Sequence, residues 1–421
     1  MELICLIKYN LSCLNILFKN LLCRICSKKV ENVLDLGCSP PANSLLDYQN
    51  QEITSFPLVL QYCKSCSNLQ LKDCLEINEL YKHYFYLTPN SKTLNEHYEY
   101  LSNFLISKKY LSNDSKVLEI GSNVGNYLSH IKKYVKEIIG VDPAENVAKL
   151  ANAKGIKTIC DFFNFKFAQN LKKSKGEYDA IIARHCFAHN SSPHDLLKGA
   201  KEVLSKDGYL IIENAYALNT IENNEFDQIY HEHMFYYSIK SISVALEING
   251  LKLIDILISL VHGGSIVFIA EHIKEKNFVS NSVETHLEYE QSRLNEYSII
   301  NFSNNAFKLK KDLKNMINIS NQKNNKIYTY GATAKGNTLL NFVGLDYKNI
   351  SHCIDSTNIK QGKYLPGSNI KIFDENFAFD NPPDYFLLTA WNYKDEIITK
   401  VRDMGNVDST FIVPFPKLHV I

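Results

Sequence analysis

The stretch 116–134 limits the possible folds more than any other. It reads KVLEIGSNVG and then NYLSHIKKY: an apolar run of strand length, a turn carrying Gly121 and Gly125, and an amphipathic helical stretch from 126 to 134. Strand, glycine turn and helix in that order open a doubly wound α/β sheet. Glycines at such a turn let the backbone approach a ligand closely. Gly121 and Gly125 stand four apart with no third glycine in register, so this is not the dinucleotide G-x-G-x-x-G fingerprint. A second strand, 137–141 (EIIGV), ends at Asp142, where an acid can accept both ribose hydroxyls of a bound adenosine. The alternation then repeats: a helix over 144–154, a third strand near 156–159, a fourth at 178–183 (YDAIIA), a helix over 193–204, a tight turn at 205–208 and a fifth strand at 209–213. Asp161, Phe162 and Phe163 follow the third strand, an acid and aromatics that could meet an adenine.

Just past the fifth strand, 226–233 reads FDQIYHEH. Tyr230, His231, Glu232 and His233 can all trade protons or hydrogen bonds, and acid–base groups beyond a strand end are where an α/β enzyme keeps its chemistry. A solvated loop with aromatic anchors is the competing reading of those four residues. His262-Gly263-Gly264-Ser265 precedes a further strand. Its Gly-Gly turn either exposes backbone N–H groups to an anion or a neighbouring loop, or is a plain hairpin turn.

Two CxxC pairs, Cys23/Cys26 and Cys63/Cys66, are separated by 36 residues. A CxxC turn brings two thiolates to one ion, and two such turns complete a tetrahedral Zn2+ site. Four thiolates fill the coordination sphere, so the expected metal is structural. Redox use of one pair is disfavoured because no thioredoxin-like βαβ pattern surrounds either. Eight of the eleven cysteines fall before residue 80, which is no disulfide scaffold spread over the chain, and reduced thiols in a cytoplasmic protein fit better. Lys8, Asn10, Asn15 and Lys19 interrupt the apolar first twenty residues, so no membrane anchor is expected there. The 46 basic and 45 acidic side chains leave a net charge of +1, without the excess that a nucleic-acid partner would draw.

Beyond 275 the chain turns charged and Asn-rich with helical spacing, which reads as linker helices over 276–323. Then the sheet pattern restarts. A strand at 326–330 (KIYTY) enters Gly331-Ala332-Thr333-Ala334-Lys335-Gly336 and an apolar helix, and a strand at 350–354 ends at Asp355. The turn is either a phosphate cradle at a helix N-terminus with Lys335 as charge partner, or purely structural. It lacks the Walker ending, so ATP hydrolysis is not expected.

The E-x-G-x-x-x-G turn, Asp142 and LSKDGYLII resemble a class I S-adenosylmethionine methyltransferase. With the paired CxxC, VLEIGSNVG, HCFAHN, YHEH, HGGS, YGATAKGNTLLN and KQGKYLPG, the chain resembles the three-part sugar C-methyltransferases over nearly all of 21–421. The resemblance implies an extension (1–20), a zinc-binding domain (21–90), an α/β methyltransferase domain with a Rossmann-like sheet (91–275), the linker helices and a second Rossmann-like α/β domain (324–421). It implies S-adenosyl-L-methionine held around Glu119, Gly121, Ser122, Asn123, Gly125, Asp142, Asp161, Phe162 and His185. The expected reaction moves a methyl to the carbon beside the ketone of a nucleotide-linked keto-deoxysugar. His233 would be the base, with Glu232 tuning it, and Tyr230, His189 and Tyr86 would line the sugar. Val124 stands where many members carry Asp, which puts a side-chain contact to the donor at that position in doubt. The partner is a small molecule, not nucleic acid or membrane, and the chain is expected as a monomer. Competing readings are an O- or N-methyltransferase on a sugar nucleotide and a zinc-bearing nucleic-acid-binding protein.

Overall fold

The computed structural model describes residues 21–75, 88, 91–259 and 261–421, without the side chain of His262. Tyr86 and the first twenty residues lie outside that description. Three sheets organise the described residues.

The central sheet has seven strands in the spatial order Leu251–Ser259, Ser265–His272, Leu204–Ala215, Tyr178–Arg184, Lys116–Ile120, Glu137–Val141 and Thr158–Ile159. The last five pair in parallel. Ser265–His272 is antiparallel to both of its neighbours. The doubly wound sheet expected from the alternation is present, and the reversed strand follows from the Gly263-Gly264 turn, where both φ angles are positive. Ala180, Ile181, Ile182 and Ala183 are fully buried, as expected of an apolar run covered by helices on both faces. The fifth strand runs unbroken over Leu204–Ala215. The residues read as a tight turn at 205–208 instead form an irregularity of register against Tyr178 and Ala180. The third strand shrinks to Thr158–Ile159, because Gly155 takes a positive φ just before it.

The cysteine-bearing segment forms a four-stranded antiparallel sheet: Glu31–Ser39, Phe56–Tyr62, Leu69–Leu71 and Phe235–Tyr236. The fourth strand comes from the far side of the chain, immediately after the YHEH residues. The C-terminal sheet runs Lys371–Phe373, His352–Ile354, Ile327–Tyr330, Tyr385–Leu388, Thr410–Val413 and His419–Val420. The first five are parallel and the last is antiparallel.

In the chain, the helices Asn281–Arg293 and Glu296–Gln322 come between the central and the C-terminal sheets. The longer one spans about 40 Å and buries Ile299, Phe302, Ala306, Leu309, Leu313 and Ile317 along one stripe. One apolar core passes without a break from Leu34 through Phe226 and Tyr236 to Phe342 and Phe415, so the three sheets share it. A second core lies under the helix Lys92–Ser107, whose Leu94, Tyr98, Leu101 and Leu105 are buried at the spacing seen in the sequence. Among the described residues no helix is long and apolar enough to cross a membrane.

Candidate active site

A cavity of about 620 Å³ opens where the three sheets meet. It lies at the point where strand order reverses in the central sheet, between the ends of Lys116–Ile120 and Tyr178–Arg184. Ligands of open α/β sheets bind at that position.

On the central-sheet side, Glu119, Gly121, Ser122, Asn123, Asp142, Asp161, Phe162 and His185 all line the cavity. Gly121 and Asn123 take positive φ values of 65° and 50°, which fold the turn back over the strand end. Gly121 is glycine for a packing reason: a Cβ there would sit 2.5 Å from the Cys186 Cβ. Gly125 does not reach the cavity wall. A Cβ on it would fall 2.8 Å from Ile156, so it serves helix-to-strand packing and not, as the sequence suggested, approach to a ligand. Val124 is buried with Ala144 and Val147, which accounts for an apolar residue at that position. Asp142 accepts the backbone N–H of Asn123 at 2.9 Å and of Ala144 at 3.0 Å, which aims its carboxyl at the turn. Burial raises its pKa against those two bonds.

Glu119 is buried, and its Oε2 has no hydrogen-bond partner. Burial pushes its pKa up to about 8, against the pull of Arg184. The Arg184 guanidinium lies 2.8 Å from Glu213 and over the rings of Tyr98 and Tyr127. An orphaned acid oxygen beside the glycine turn, with Asp142 one strand over, fits the amino and ribose groups of an S-adenosylmethionine-type donor.

The acid–base cluster lies in the same cavity. His233 Nδ1 is 3.1 Å from the Gln228 carbonyl oxygen. A carbonyl only accepts, so Nδ1 carries the hydrogen, and Nε2 keeps its lone pair for the Tyr230 hydroxyl at 2.6 Å. Burial, then His189, then Lys335 hold the His233 pKa well below the usual range, so the ring is neutral. His189 stands with its ring 5.0 Å from that of His233, and burial followed by His185 lowers its pKa to about 4. Tyr236 also donates to the Gln228 carbonyl, at 2.9 Å.

Two expectations change here. Glu232 does not bond His233; its Oε1 accepts from Asn43 Nδ2 at 2.9 Å, while Oε2 has no partner. His231 does not face solvent but is buried against the ring of Phe56. Sequence reasoning missed Asn43, because nothing local in PPANSLL marks it, and missed Gln228, whose part is played by its backbone.

The C-terminal sheet supplies the remaining wall through Tyr330, Gly331, Thr333, Lys335, Asp355 and Lys360. Its turn repeats the central one: Gly331 N–H donates to Ile354 and Ala332 N–H to Asp355, as Gly121 N–H does to Val141 and Asn123 N–H to Asp142. Lys335 is turned inward. Its Nζ lies 3.9 Å from Glu225 Oε2 and 4.8 Å from the centre of the Trp391 ring.

In the first sheet the two CxxC turns are built alike. The residue after each pair, Ser27 or Ser67, has a positive φ and donates its N–H to the first cysteine carbonyl. The four sulfurs lie within 4.8 Å of one another, with Cys23–Cys66 at 3.6 Å and Cys26–Cys63 at 3.5 Å. A tetrahedron of ~2.3 Å Zn–S bonds needs sulfurs roughly 3.8 Å apart, so the set fits Zn2+ with no open position.

Comparison with known proteins finds three family matches along the chain. A methyltransferase domain family matches 93–256, a C-methyltransferase C-terminal domain family matches 260–416, and a domain family described as zinc binding matches 23–81. The chain is 32% identical over 404 residues to the C-methyltransferase NovU of Streptomyces niveus, covering 95% of this chain and 96% of NovU. The uncharacterized methyltransferase YcgJ of Bacillus subtilis is 27% identical over 108 residues, covering 25% of this chain and 42% of YcgJ. Among solved structures, magnesium protoporphyrin IX methyltransferase of Synechocystis with bound SAM is 14% identical and covers 43% of this chain and 80% of that one, with a TM-score of 0.33.

Proposed function

The chain belongs to the family of S-adenosylmethionine-dependent C-methyltransferases, and from that premise we propose that it methylates the carbon beside the ketone of a nucleotide-linked keto-deoxysugar. The observation that carries the reading is the half-buried Tyr230–His233 pair. Its neutral imidazole has Nε2 as its one proton-accepting nitrogen, in the same cavity as the donor turn.

The donor, when bound, supplies an electrophilic sulfonium methyl. The chain's own residues must generate the nucleophile. A C–H bond beside a ketone breaks with its proton going to His233 Nε2 and its electron pair into the enolate. Tyr230, whose hydroxyl caps Nε2 in the resting site, is displaced by that proton and donates to the enolate oxygen instead. The enolate carbon then forms the new C–C bond as the methyl leaves sulfur. Glu232 and His189 stand in this wall for the sugar's hydroxyls. Lys335, Lys360 and Lys400 line the cavity from the C-terminal sheet and suit the negative charge of a nucleotide diphosphate. Thiolate metal ligands suit a reducing, cytoplasmic setting.

The test is His233→Asn. Donor binding should persist in calorimetry while methyl transfer to keto-deoxysugar nucleotides falls by ~10²–10⁴-fold. Near wild-type turnover sinks the base assignment. Wild-type enzyme in D2O without donor should exchange the substrate hydrogen beside the ketone, and absence of exchange argues against an enolate.

A further inference from the structure

The base does not stand on the central sheet alone. His233 owes its tautomer to the Gln228 carbonyl, and the segment around Gln228 is gripped from the C-terminal sheet at three points. Thr338 Oγ1 donates to the Ile229 carbonyl at 3.1 Å. Trp391 Nε1 donates to Asp227 Oδ2 at 2.6 Å. The Lys335 ammonium faces Glu225, 3.9 Å away, and Glu225 in turn accepts the side-chain amide of Gln228. Asp227, Gln228 and Glu225 are all buried, so these contacts are made out of water, where they restrict geometry most. The segment from 225 to 229 is short, and its few backbone bonds include Gln228 N–H to Glu225 and Ile229 N–H to Phe226. The Ile229 N–H shares a peptide plane with the Gln228 carbonyl, so its bond to Phe226 orients that carbonyl within the segment, and Tyr236 donates to the same oxygen; the contacts from the C-terminal unit fix where the segment itself stands against His233.

We propose that Thr338, Trp391 and Lys335 are positioning residues for the base, holding the 225–229 segment so that the Gln228 carbonyl takes the Nδ1 hydrogen of His233 and leaves Nε2 as the nitrogen that accepts the substrate proton. The C-terminal sheet is then part of the catalytic apparatus besides forming a wall of the cavity. The proposal rests on the reading of His233 as the base, but its primary readout does not. Full-length enzyme labelled with 15N-histidine, with the His233 signals identified by their loss in His233→Asn, reports which ring nitrogen is protonated. The wild type should show Nδ1 protonated and Nε2 bare.

In the Thr338→Val/Trp391→Phe double variant, which keeps the shape at 338 and an aromatic ring at 391 while removing both donors, the Nε2-protonated form should become populated. Its kcat should drop roughly tenfold or more, within the ~10²–10⁴ that a general base contributes, with the KM for the donor unchanged. Thr338→Ser, which keeps the hydroxyl, should retain both the wild-type tautomer and the wild-type rate. Lys335→Met should likewise populate the Nε2-protonated form in the substrate-free enzyme, where a role toward the diphosphate has no effect. An unchanged tautomer in a double variant that still binds donor overturns the proposal, whatever its rate. A changed tautomer with unchanged kcat supports the clamp and sinks His233 as the base.

Discussion

Glu119 is a carboxylic acid rather than a carboxylate at neutral pH, because burial raises its pKa to about 8. A folded state that holds this proton more tightly than the unfolded chain is stabilised by it fully below the ordinary glutamate range, near 4.5. That stability is lost as pH climbs from there through about 8. Glu119→Gln keeps the shape and removes the titration. Urea unfolding at pH 6 and pH 8 should therefore show the wild type losing on the order of a few kcal/mol relative to the variant. An equal response of both proteins would mean that the acid is solvated. At this scale the sequence was informative wherever backbone conformation is local. Gly121 and Asn123 shape one turn, held by Asp142 at the end of the next strand, and the order of these residues in the sequence pointed to it. Asn43 and Trp391 were illegible for the opposite reason: their partners Glu232 and Asp227 lie 189 and 164 residues away. The single tryptophan of the chain was a signal that could have been followed. Gly125 was misread because a glycine required by Ile156 packing looks, in sequence, like one required by a ligand.

Among the elements, the two-residue strand Phe235–Tyr236 has the widest influence. It is the edge strand of the cysteine-bearing sheet, pairing with Leu69–Leu71, and Met234 just before it bonds both Leu71 and Ala188. The cysteine-bearing sheet is thereby tied to the position of His233 one residue earlier. Stripping Zn2+ with a chelator should cost activity in step with the loss of hydrogen-exchange protection at 69–71 and 234–236, with the central-sheet strands still protected. Loss of protection confined to residues before 75, at full activity, would show that the strand pairing is dispensable. No periodicity rule could have found this strand. It is too short for alternation to register, and it is stabilised by a partner more than 160 residues away in the chain. The glycine-turn units were legible because each is a self-contained strand–turn–helix, as Ile327–Tyr330 with Ala334–Val343 shows.

Across the whole molecule, the shared apolar core is decisive. Phe226, in the segment before His233, packs its ring against Phe342 and Phe415 of the C-terminal unit at 5.2 Å from each. All three rings are nearly or fully buried. Phe415→Ala should destabilise the protein by about 3–5 kcal/mol. In calorimetry the central and C-terminal sheets should still melt in one transition, because the largest apolar core runs through both without a break. Two separated transitions would show the units to be independent. The CxxC pairs and the two strand–glycine turn–helix patterns pointed to a cysteine-bearing segment and α/β sheets. They could not foretell that the parts interpenetrate, since burial between segments leaves no mark on either segment's own pattern.

The borrowed edge strand also bears on how such an enzyme can be recombined. A crossover placed at the apparent boundary near residue 90 would transplant the cysteine pairs without the strand that completes their sheet, and would pair Leu69–Leu71 of one parent with Phe235–Tyr236 of another. Chimeras with a relative should work only when 69–71 and 234–237 are exchanged together. The unit of inheritance in this protein is a pair of distant segments, not a stretch of sequence.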